Sequence, residues 1–501
     1  MIALLRSLRQ DRLLTITTVV MACICLYPLT TTPILPFIDL PHHVALSRLL
    51  WDVAFKLHGA DVHYELDITP VPYWTAYVLL ALAGRLFGAY AGTKLVVALA
   101  ALSIPLGTMR LLGALGRSPR LGLLAFLLVW DFNMCFGWLN HVLAVGLSLF
   151  VMAQTIEAET PRDAMKAWPL GVVLALTHIL PFAFLGVTVG LTALLRRRGI
   201  RLHAVAVAVP SLALVPWLWH SLGGTRTDPG FAFDPIDVRL ENLFTYTLGN
   251  GPVDSSGPNA AGVAFVALLL GPLLLALLPQ RDHRPGGHSR LLAAAPLLAA
   301  LLLYFTLPLS VARPVEHWGT YPRFASLILL GALLIPSPRL DGRAALTLVP
   351  FTLVGTWMSL TVASQFRAFT AEIDGFYDAA RRIPKGASLL PLCYENTFRS
   401  VRPALGESLH GYITAQTGGY NPYLFGQPTN PIHYRKDGVI PAPAGWGRRP
   451  AMFSMKAYGK RYDFILVLGR GTDPLPREKS SAGKAAVLVF ERDRFRLYAV
   501  R

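Results

Sequence analysis

The chain has 501 residues, of which 53% are hydrophobic and 15% charged, and its formal net charge at pH 7 is +17. Soluble domains carry charge on about 25% of their residues, so this composition indicates an integral membrane protein and excludes an ordinary soluble enzyme. Basic residues collect in the cytoplasmic loops of membrane proteins, which explains the positive charge without nucleic acid. Four cysteines do not make a disulfide framework, and whether Cys135 and Cys393 pair is left open.

The N-terminal segment is typical of a retained signal anchor. Arg6, Arg9 and Arg12 precede an apolar run at 13–29, and the segment lacks a small-residue cleavage site. Apolar runs and arginine clusters then predict about 11 transmembrane helices, with the N-terminus cytoplasmic and the C-terminus outside. The predicted spans are residues 13–29, 92–112, 121–130, 141–155, 168–178, 179–195, 205–219, 262–278, 291–309, 321–335 and 344–363.

The first outer loop contains two segments that are helical in pattern but unsuited to crossing the bilayer. Residues 39–57 interleave apolar and charged side chains, as interfacial helices do. Residues 73–87 are apolar but only about 15 residues long, short of the roughly 20 needed for a span. We therefore predict interfacial or re-entrant helices at both places.

The composition changes after residue 363. Residues 364–501 contain no spanning stretch but carry short strand-like runs at 388–392, 464–469, 485–490 and 494–500, the last two as a possible hairpin. An amphipathic helix is expected at 368–383. The sequence therefore predicts a transmembrane domain at 1–363 and a small α/β domain outside the membrane at 364–501.

Asp39 opens the first outer loop, where the chain leaves the bilayer, and His42 and His43 follow closely. A carboxylate at a membrane boundary is costly to desolvate and is a functional candidate by default. It can take a proton from a hydroxyl if its surroundings tune its pKa. The alternative is that Asp39 only caps the helix that starts near Pro41.

The predicted topology brings further polar side chains to the same outer face. The second loop contributes Asp131, Asn140 and His141, the end of a later span contributes His178, and the loop before the tenth span contributes Arg313, His317 and Arg323. An arginine at the outer end of a helix suits bidentate binding of a phosphate. Arg323 is alternatively an anchor whose guanidinium reaches the lipid headgroups.

Several kinds of chemistry lack sequence support. We find no Walker loop, dinucleotide glycine motif, Gly-x-Ser-x-Gly elbow or His-Glu-x-x-His motif. Asp39 and His42, three residues apart on one helical face, permit a divalent metal ion without requiring it. The sequence thus assigns no metal ligand and no certain cofactor.

Two short stretches, together with the layout, resemble the GT-C superfamily of integral membrane glycosyltransferases. Residues 39–43 (Asp-Leu-Pro-His-His) resemble the Asp-x-Pro-x-His opening of bacterial GT-C-like proteins, and residues 136–141 (Phe-Gly-Trp-Leu-Asn-His) resemble their Gly-Phe-Leu-Asn stretch. The resemblance covers residues 1–363. The superfamily includes the protein mannosyltransferases and the lipid A aminoarabinose transferases.

The resemblance implies sugar transfer in a bacterial inner membrane, from a polyprenyl-phosphate donor to a cell-envelope acceptor outside the cytoplasm. Asp39, with His42 and His43, would be catalytic, and Asp39 would be the general base. Arg323, His317 and Arg313 would bind the donor phosphate, and the acceptor side would contain Asp131, Asn140, His141 and His178. The competing interpretation is a non-catalytic GT-C-like membrane protein in the transport or assembly of lipid-linked glycans.

Overall fold

The computed structural model describes residues 2–196, 200–222, 230–249, 259–280, 288–312, 317–401, 404–426, 430–444, 452–469, 475 and 486–501. The chain divides into two compact units. The first comprises Met1–Thr31, Pro70–Ala76 and Val97–Ser364, and the second comprises Thr32–Thr69, Tyr77–Val96 and Gln365–Arg501.

Within the described residues, five helices are long and apolar enough to cross a membrane: Arg12–Thr30, Ala89–Ala114, Pro119–Phe136, Leu139–Glu157 and Gly342–Glu372. Shorter apolar helices are Trp74–Phe87, Ile179–Leu195, Ala260–Ala276, Leu291–Thr306 and Pro322–Leu333. Further helices are Ile2–Gln10, Leu40–Ala54, Ala60–His63, Pro161–Met165, Trp168–Ala175, Ile200–Leu212, Val215–Leu222, Ile236–Glu241, Asp374–Ala380 and Gly411–Thr417. Helices satisfy their own backbone hydrogen bonds, as a chain in lipid must.

The first predicted span is confirmed as a helix, Arg12–Leu26, continued by a 3₁₀ turn at Tyr27–Thr30. The two segments of the first outer loop are also helical, at Leu40–Ala54 and Trp74–Phe87. The total of about 11 spans stays a prediction.

Three elements differ from their predicted form. Residues 205–219 lie in two helices, Ile200–Leu212 and Val215–Leu222, because Pro216 lacks the N–H that a continuous ladder needs. The span at 121–130 is a 3₁₀ helix, Pro119–Leu128, followed by a short α-helix. The helix expected at 368–383 is divided: its first residues continue the preceding helix to Glu372, and a short helix, Asp374–Ala380, follows.

In the first unit, arginines form hydrogen bonds between chain segments that are distant in sequence. Arg117 Nη2 donates to the carbonyl oxygen of Ile335 at 2.8 Å, just past the end of an apolar helix. Arg120 Nε donates to Asp11 Oδ2 at 2.7 Å. In the predicted topology both arginines lie on the cytoplasmic side, between the spans at 92–112 and 121–130, and here they donate to a carbonyl oxygen and a carboxylate.

The second unit contains the predicted sheet. Its four strands lie in the order Leu389–Cys393, Phe464–Leu468, Phe495–Val500 and Ala486–Arg492. The first pair is parallel, and the other two pairs are antiparallel. Leu389–Cys393 is an edge strand of the sheet, yet all five of its residues are buried, so both of its faces are covered. The hairpin expected between the last two strands is confirmed.

The segment that follows Asp39 also belongs to the second unit. Tyr64–Leu66 pairs with Ile432–Tyr434 in an antiparallel ladder. Helix Leu40–Ala54 packs on helix Gly411–Thr417 so closely that a Cβ at Gly411 would lie 2.6 Å from the carbonyl oxygen of Pro41. The start of the interfacial helix is therefore positioned by residues more than 350 positions away in the chain.

Candidate functional site

Arg323 is the centre of a polar cluster in the first unit. It is buried in the 3₁₀ turn Pro322–Phe324, and its guanidinium carbon lies 3.8 Å from the centroid of the Trp138 ring. Its Nη1 donates to Nε2 of His317. A guanidinium stacked on indole and hydrogen-bonded at its edge is held in one orientation, as recognition of an anion requires.

Histidines extend the cluster on one side of Arg323. His141 Nε2 donates to the carbonyl oxygen of Arg323 at 3.2 Å. The ring centroids of His141 and His178 are 5.3 Å apart, and those of His178 and His317 are 5.6 Å apart. Desolvation, reinforced by the positive charge of Arg323, lowers the pKa of His317. His317 is therefore neutral at pH 7, and the guanidinium provides the positive charge.

Asp131 lies in the same unit, at the start of the short helix Phe132–Phe136. Its Oδ1 accepts a capping hydrogen bond from the Met134 amide at 2.9 Å, and its Oδ2 accepts from Asn133 Nδ2 at 2.8 Å and from Ser326 Oγ at 2.5 Å. A small pocket is lined by Asp131, His141, Arg323 and Ser326. The structure thus brings together four side chains from two sequence-distant segments, 131–141 and 323–326.

The other predicted residues of this group are placed differently. Asn140 is buried in the first turn of helix Leu139–Glu157 but does not line the pocket, and within the described part of the chain neither of its amide atoms has a hydrogen-bond partner. Arg313 lies outside the described residues.

Ser326 was not identified from the sequence as a residue of this site. The signal for it was its position three residues after Arg323, one turn along the same helical face.

Asp39, His42 and His43 belong to the second unit. Asp39 is partly exposed at the N-cap position of helix Leu40–Ala54, and its side chain makes no capping hydrogen bond. The His42 ring stacks on Phe425 with centroids 4.2 Å apart, and its edge faces His410 at 5.5 Å. Asp39 thus occupies the cap position considered for it, without the side-chain hydrogen bond of a cap.

Hydrogen bonds connect His43 to the C-terminal region of the same unit. His43 Nδ1 lies 2.9 Å from the hydroxyl oxygen of Tyr77, whose own proton is directed to Asn430 Oδ1 at 3.4 Å. His43 Nδ1 is therefore the donor in the first contact. The pairing of Tyr77 with His43 could not be found from the sequence, since neither spacing nor motif connects them.

His410 has a pKa lowered to about 4, because burial disfavours its charged form. Its Nδ1 accepts from Asn421 Nδ2 at 2.8 Å. The unfolded chain takes up the proton near pH 6.5, whereas the folded chain resists it until about pH 4. Stability must therefore fall as the pH falls between these values.

We expect acidification from pH 7 to pH 5 to cost about 2 kcal/mol of unfolding free energy through His410. In His410→Gln, whose amide oxygen can still accept from Asn421, this part of the pH dependence should disappear. Denaturant unfolding in detergent at both pH values measures it. Burial also lowers the pKa of His42, so the part of the pH dependence that comes from His42 should remain in the variant. An unchanged pH slope would contradict the assignment.

Gly319 makes room for Trp138 beneath Arg323. Its φ is +71°, and a Cβ there would lie 2.6 Å from Cη2 of the indole. Gly319→Ala is expected to cost about 1–3 kcal/mol more in unfolding free energy than Gly116→Ala. Gly116 is a matched control, because its φ is also +71° and a Cβ there meets no described atom within 4 Å. Equal thermal midpoints for the two variants would contradict the close packing.

Among the described residues, no three or more His, Cys, Asp or Glu side chains are grouped so that they could hold a metal ion. None of the four cysteines, all of which are described, forms a disulfide bond.

The fold and the polar clusters define a multi-pass membrane protein with a small sheet-containing unit. Two crystal structures of ArnT from Cupriavidus metallidurans have this fold. The structure bound to undecaprenyl phosphate matches with a TM-score of 0.53 and 14% identity, over 97% of each chain. The apo structure matches with a TM-score of 0.52, at the same identity and coverage. No family model and no curated protein matches the sequence.

ArnT is a lipid A aminoarabinose transferase of the GT-C superfamily. At 14% identity the comparison concerns the fold, and the resemblance to GT-C proteins that was predicted from the sequence is confirmed at that level. The match extends beyond residues 1–363, for which the resemblance was predicted, to 97% of the chain.

Proposed function

We propose that the chain is a membrane glycosyltransferase that moves a sugar from a polyprenyl-phosphate donor to an acceptor outside the cytoplasm. The observation that carries this proposal is the ArnT-like fold over 97% of both chains, since one of those ArnT structures is bound to undecaprenyl phosphate. A lipid-linked donor also agrees with the absence of nucleotide-binding motifs from the sequence.

Arg323, assisted by His317 and Arg313, is proposed to bind the donor phosphate. Support comes from the stacking of the guanidinium on Trp138, which fixes its plane, and from its hydrogen bond to a neutral histidine. Arginine in a fixed orientation pairs with two phosphate oxygens at once. The same positive charge stabilises the phosphate as a leaving group, where negative charge accumulates during transfer.

Asp39 is proposed as the general base, with His42 and His43 as neighbouring catalytic groups. Its carboxylate takes the proton from the acceptor hydroxyl while that oxygen attacks the anomeric carbon. The bond between this carbon and the phosphate oxygen breaks, and the polyprenyl phosphate leaves with the electron pair. Displacement from the opposite face inverts the anomeric configuration. The partial exposure of Asp39 leaves an acceptor room to approach it.

Asp131, Asn140, His141 and His178 are proposed to serve the acceptor side. Asp131 supports the acceptor-side assignment, because its carboxylate is buried among apolar helices and lines a pocket. Such ionisable groups are usually functional in membrane proteins.

The proposed topology has a cytoplasmic N-terminus in the bacterial inner membrane, a transmembrane domain at 1–363 and an extracytoplasmic domain at 364–501.

The second candidate is a non-catalytic protein that transports or assembles lipid-linked glycans. A proteoliposome experiment separates it from the transferase. Donor lipid with a labelled sugar is supplied to the reconstituted protein together with cell-envelope acceptors. A transferase moves the label into the acceptor, whereas a transporter changes only the leaflet of the labelled donor. Movement between leaflets without any labelled acceptor would reject the transferase in favour of the second candidate.

A further inference from the structure

A groove in the second unit has none of His42, His43 and His410 among its lining residues. It is formed by helix Leu40–Ala54, helix Trp74–Phe87 and the first residue of the next helix, Ala89, and has a volume of about 360 Å³ including its open side. Its walls are mostly apolar, with Val44, Leu80 and Ala81 among the lining residues. Both helices that form it are the ones expected to lie at the membrane surface.

Two guanidinium groups line the groove, on Arg48 and Arg85. Arg48 Nε donates to Asp52 Oδ2 at 2.9 Å, and His58 Nδ1 lies 3.1 Å from the same oxygen. Asp52 is completely buried, so its negative charge is directed to these partners. Asp52 thus compensates the charge of Arg48 but does not pair with Arg85, so the two arginines give the groove a net positive charge.

Arg85 provides the uncompensated charge. It is exposed, and it has no ion pair or hydrogen bond with any residue that the structure describes. Its guanidinium carbon lies 5.9 Å from the centroid of the Trp51 ring, which also lines the groove. Trp and Arg side by side are typical of membrane interfaces, where indole lies at headgroup depth and the cation meets phosphates.

The surface next to the groove is strongly apolar. Leu86 and Phe87, on the same helix as Arg85, are 74% and 60% exposed, and Phe55, just past the other helix, is 59% exposed. Contiguous exposed apolar residues mark a surface that meets lipid or a partner. A free anion would use the arginines but not this surface, whereas a lipid uses both.

We propose that the groove binds an anionic phospholipid of the bilayer. The phosphate lies between Arg85 and Arg48, and an acyl chain follows the apolar wall formed by Val44, Leu80 and Ala81. The bound lipid holds the two interfacial helices at the membrane surface. This binding site goes beyond the proposed sugar transfer and does not depend on it.

Trp51 serves as the reporter for the test. The full-length protein is placed in phosphatidylcholine nanodiscs containing increasing amounts of phosphatidylglycerol brominated near its headgroup, which quenches nearby tryptophan. Subtracting the signal of Trp51→Phe isolates Trp51 from the other tryptophans. We expect saturable quenching by phosphatidylglycerol that exceeds quenching by equally brominated phosphatidylcholine. Arg85→Gln should weaken the apparent affinity about tenfold, the effect of losing one charged hydrogen bond.

Arg435→Gln is the matched control, because Arg435 is a partly exposed arginine of the same unit and pairs with Asp437. It should bind phosphatidylglycerol as the wild type does. Circular dichroism checks that Arg85→Gln is folded, which its exposed position favours. Equal quenching by the two brominated lipids, or equal affinity in Arg85→Gln and wild type, would overturn the proposal. A preference for undecaprenyl phosphate over phosphatidylglycerol would overturn it too, since the groove would then serve polyprenyl lipids.

Discussion

Asp39→Asn is expected to lower the rate of sugar transfer by about 10²–10⁴-fold, the usual contribution of a general base. The amide has nearly the shape of the carboxylate but cannot take the proton of the acceptor hydroxyl. Donor binding should change little, because the phosphate is assigned to Arg323. Initial rates at saturating donor, with the purified variant in proteoliposomes, measure the effect.

Asp61→Asn is the matched control for this variant. Asp61 lies in the same loop and the same unit, in the first turn of helix Ala60–His63, and it has no proposed catalytic role. Its variant should transfer sugar at the wild-type rate. Thermal midpoints of both variants show whether each remains folded. Full activity in Asp39→Asn would remove this residue from the mechanism.

Arg323→Gln is expected to weaken donor binding by about 10²-fold or more. Charged hydrogen bonds contribute about 1.5–3 kcal/mol each, and a bidentate phosphate contact loses two of them. Arg323→Lys should recover only part of the affinity, since an ammonium group cannot pair with two oxygens in one plane or stack on Trp138. Equilibrium binding of undecaprenyl phosphate to the detergent-solubilised variants gives the affinities.

Arg239→Gln separates the loss of a phosphate contact from the loss of a buried arginine. Arg239 is buried in the same unit, donates to the carbonyl oxygen of Tyr304 at 2.6 Å, and stacks on Tyr321 at 4.3 Å from the ring centroid. Its removal should lower the thermal midpoint yet leave donor affinity unchanged in the folded fraction. Similar losses of affinity in the two variants would show that Arg323 acts only through stability.

The sequence predicted those features that depend on local pattern. Apolar runs predicted the first span and the helices around it, and the amphipathic repeat after Asp39 predicted Leu40–Ala54. Short strand-like runs at 485–490 and 494–500 predicted the hairpin of Ala486–Arg492 with Phe495–Val500. Each of these patterns lies within one helix or one hairpin, that is, within a continuous segment of the chain. Local periodicity therefore suffices to find them.

Features that depend on distant pairing could not be predicted. No sequence pattern around Tyr64 predicts that its strand pairs with Tyr434. In the same way, no pattern around His42 predicts that its ring stacks on Phe425. The stacking of Arg323 on Trp138 joins residues 185 positions apart. The predicted topology placed several polar residues on the outer face, and these became candidates: Asp131, His141, His178, His317 and Arg323. Their contacts, however, depend on three-dimensional packing.

The central claim is that a polyprenyl-phosphate-linked sugar is the donor. The most direct test is to incubate the wild-type protein in proteoliposomes with this donor and cell-envelope acceptors, and to quantify both products by mass spectrometry. We predict that free polyprenyl phosphate appears in equal amount with the glycosylated acceptor, and that both are nearly absent with Asp39→Asn. Wild-type protein that leaves the donor lipid intact, with every acceptor unmodified, would contradict the account.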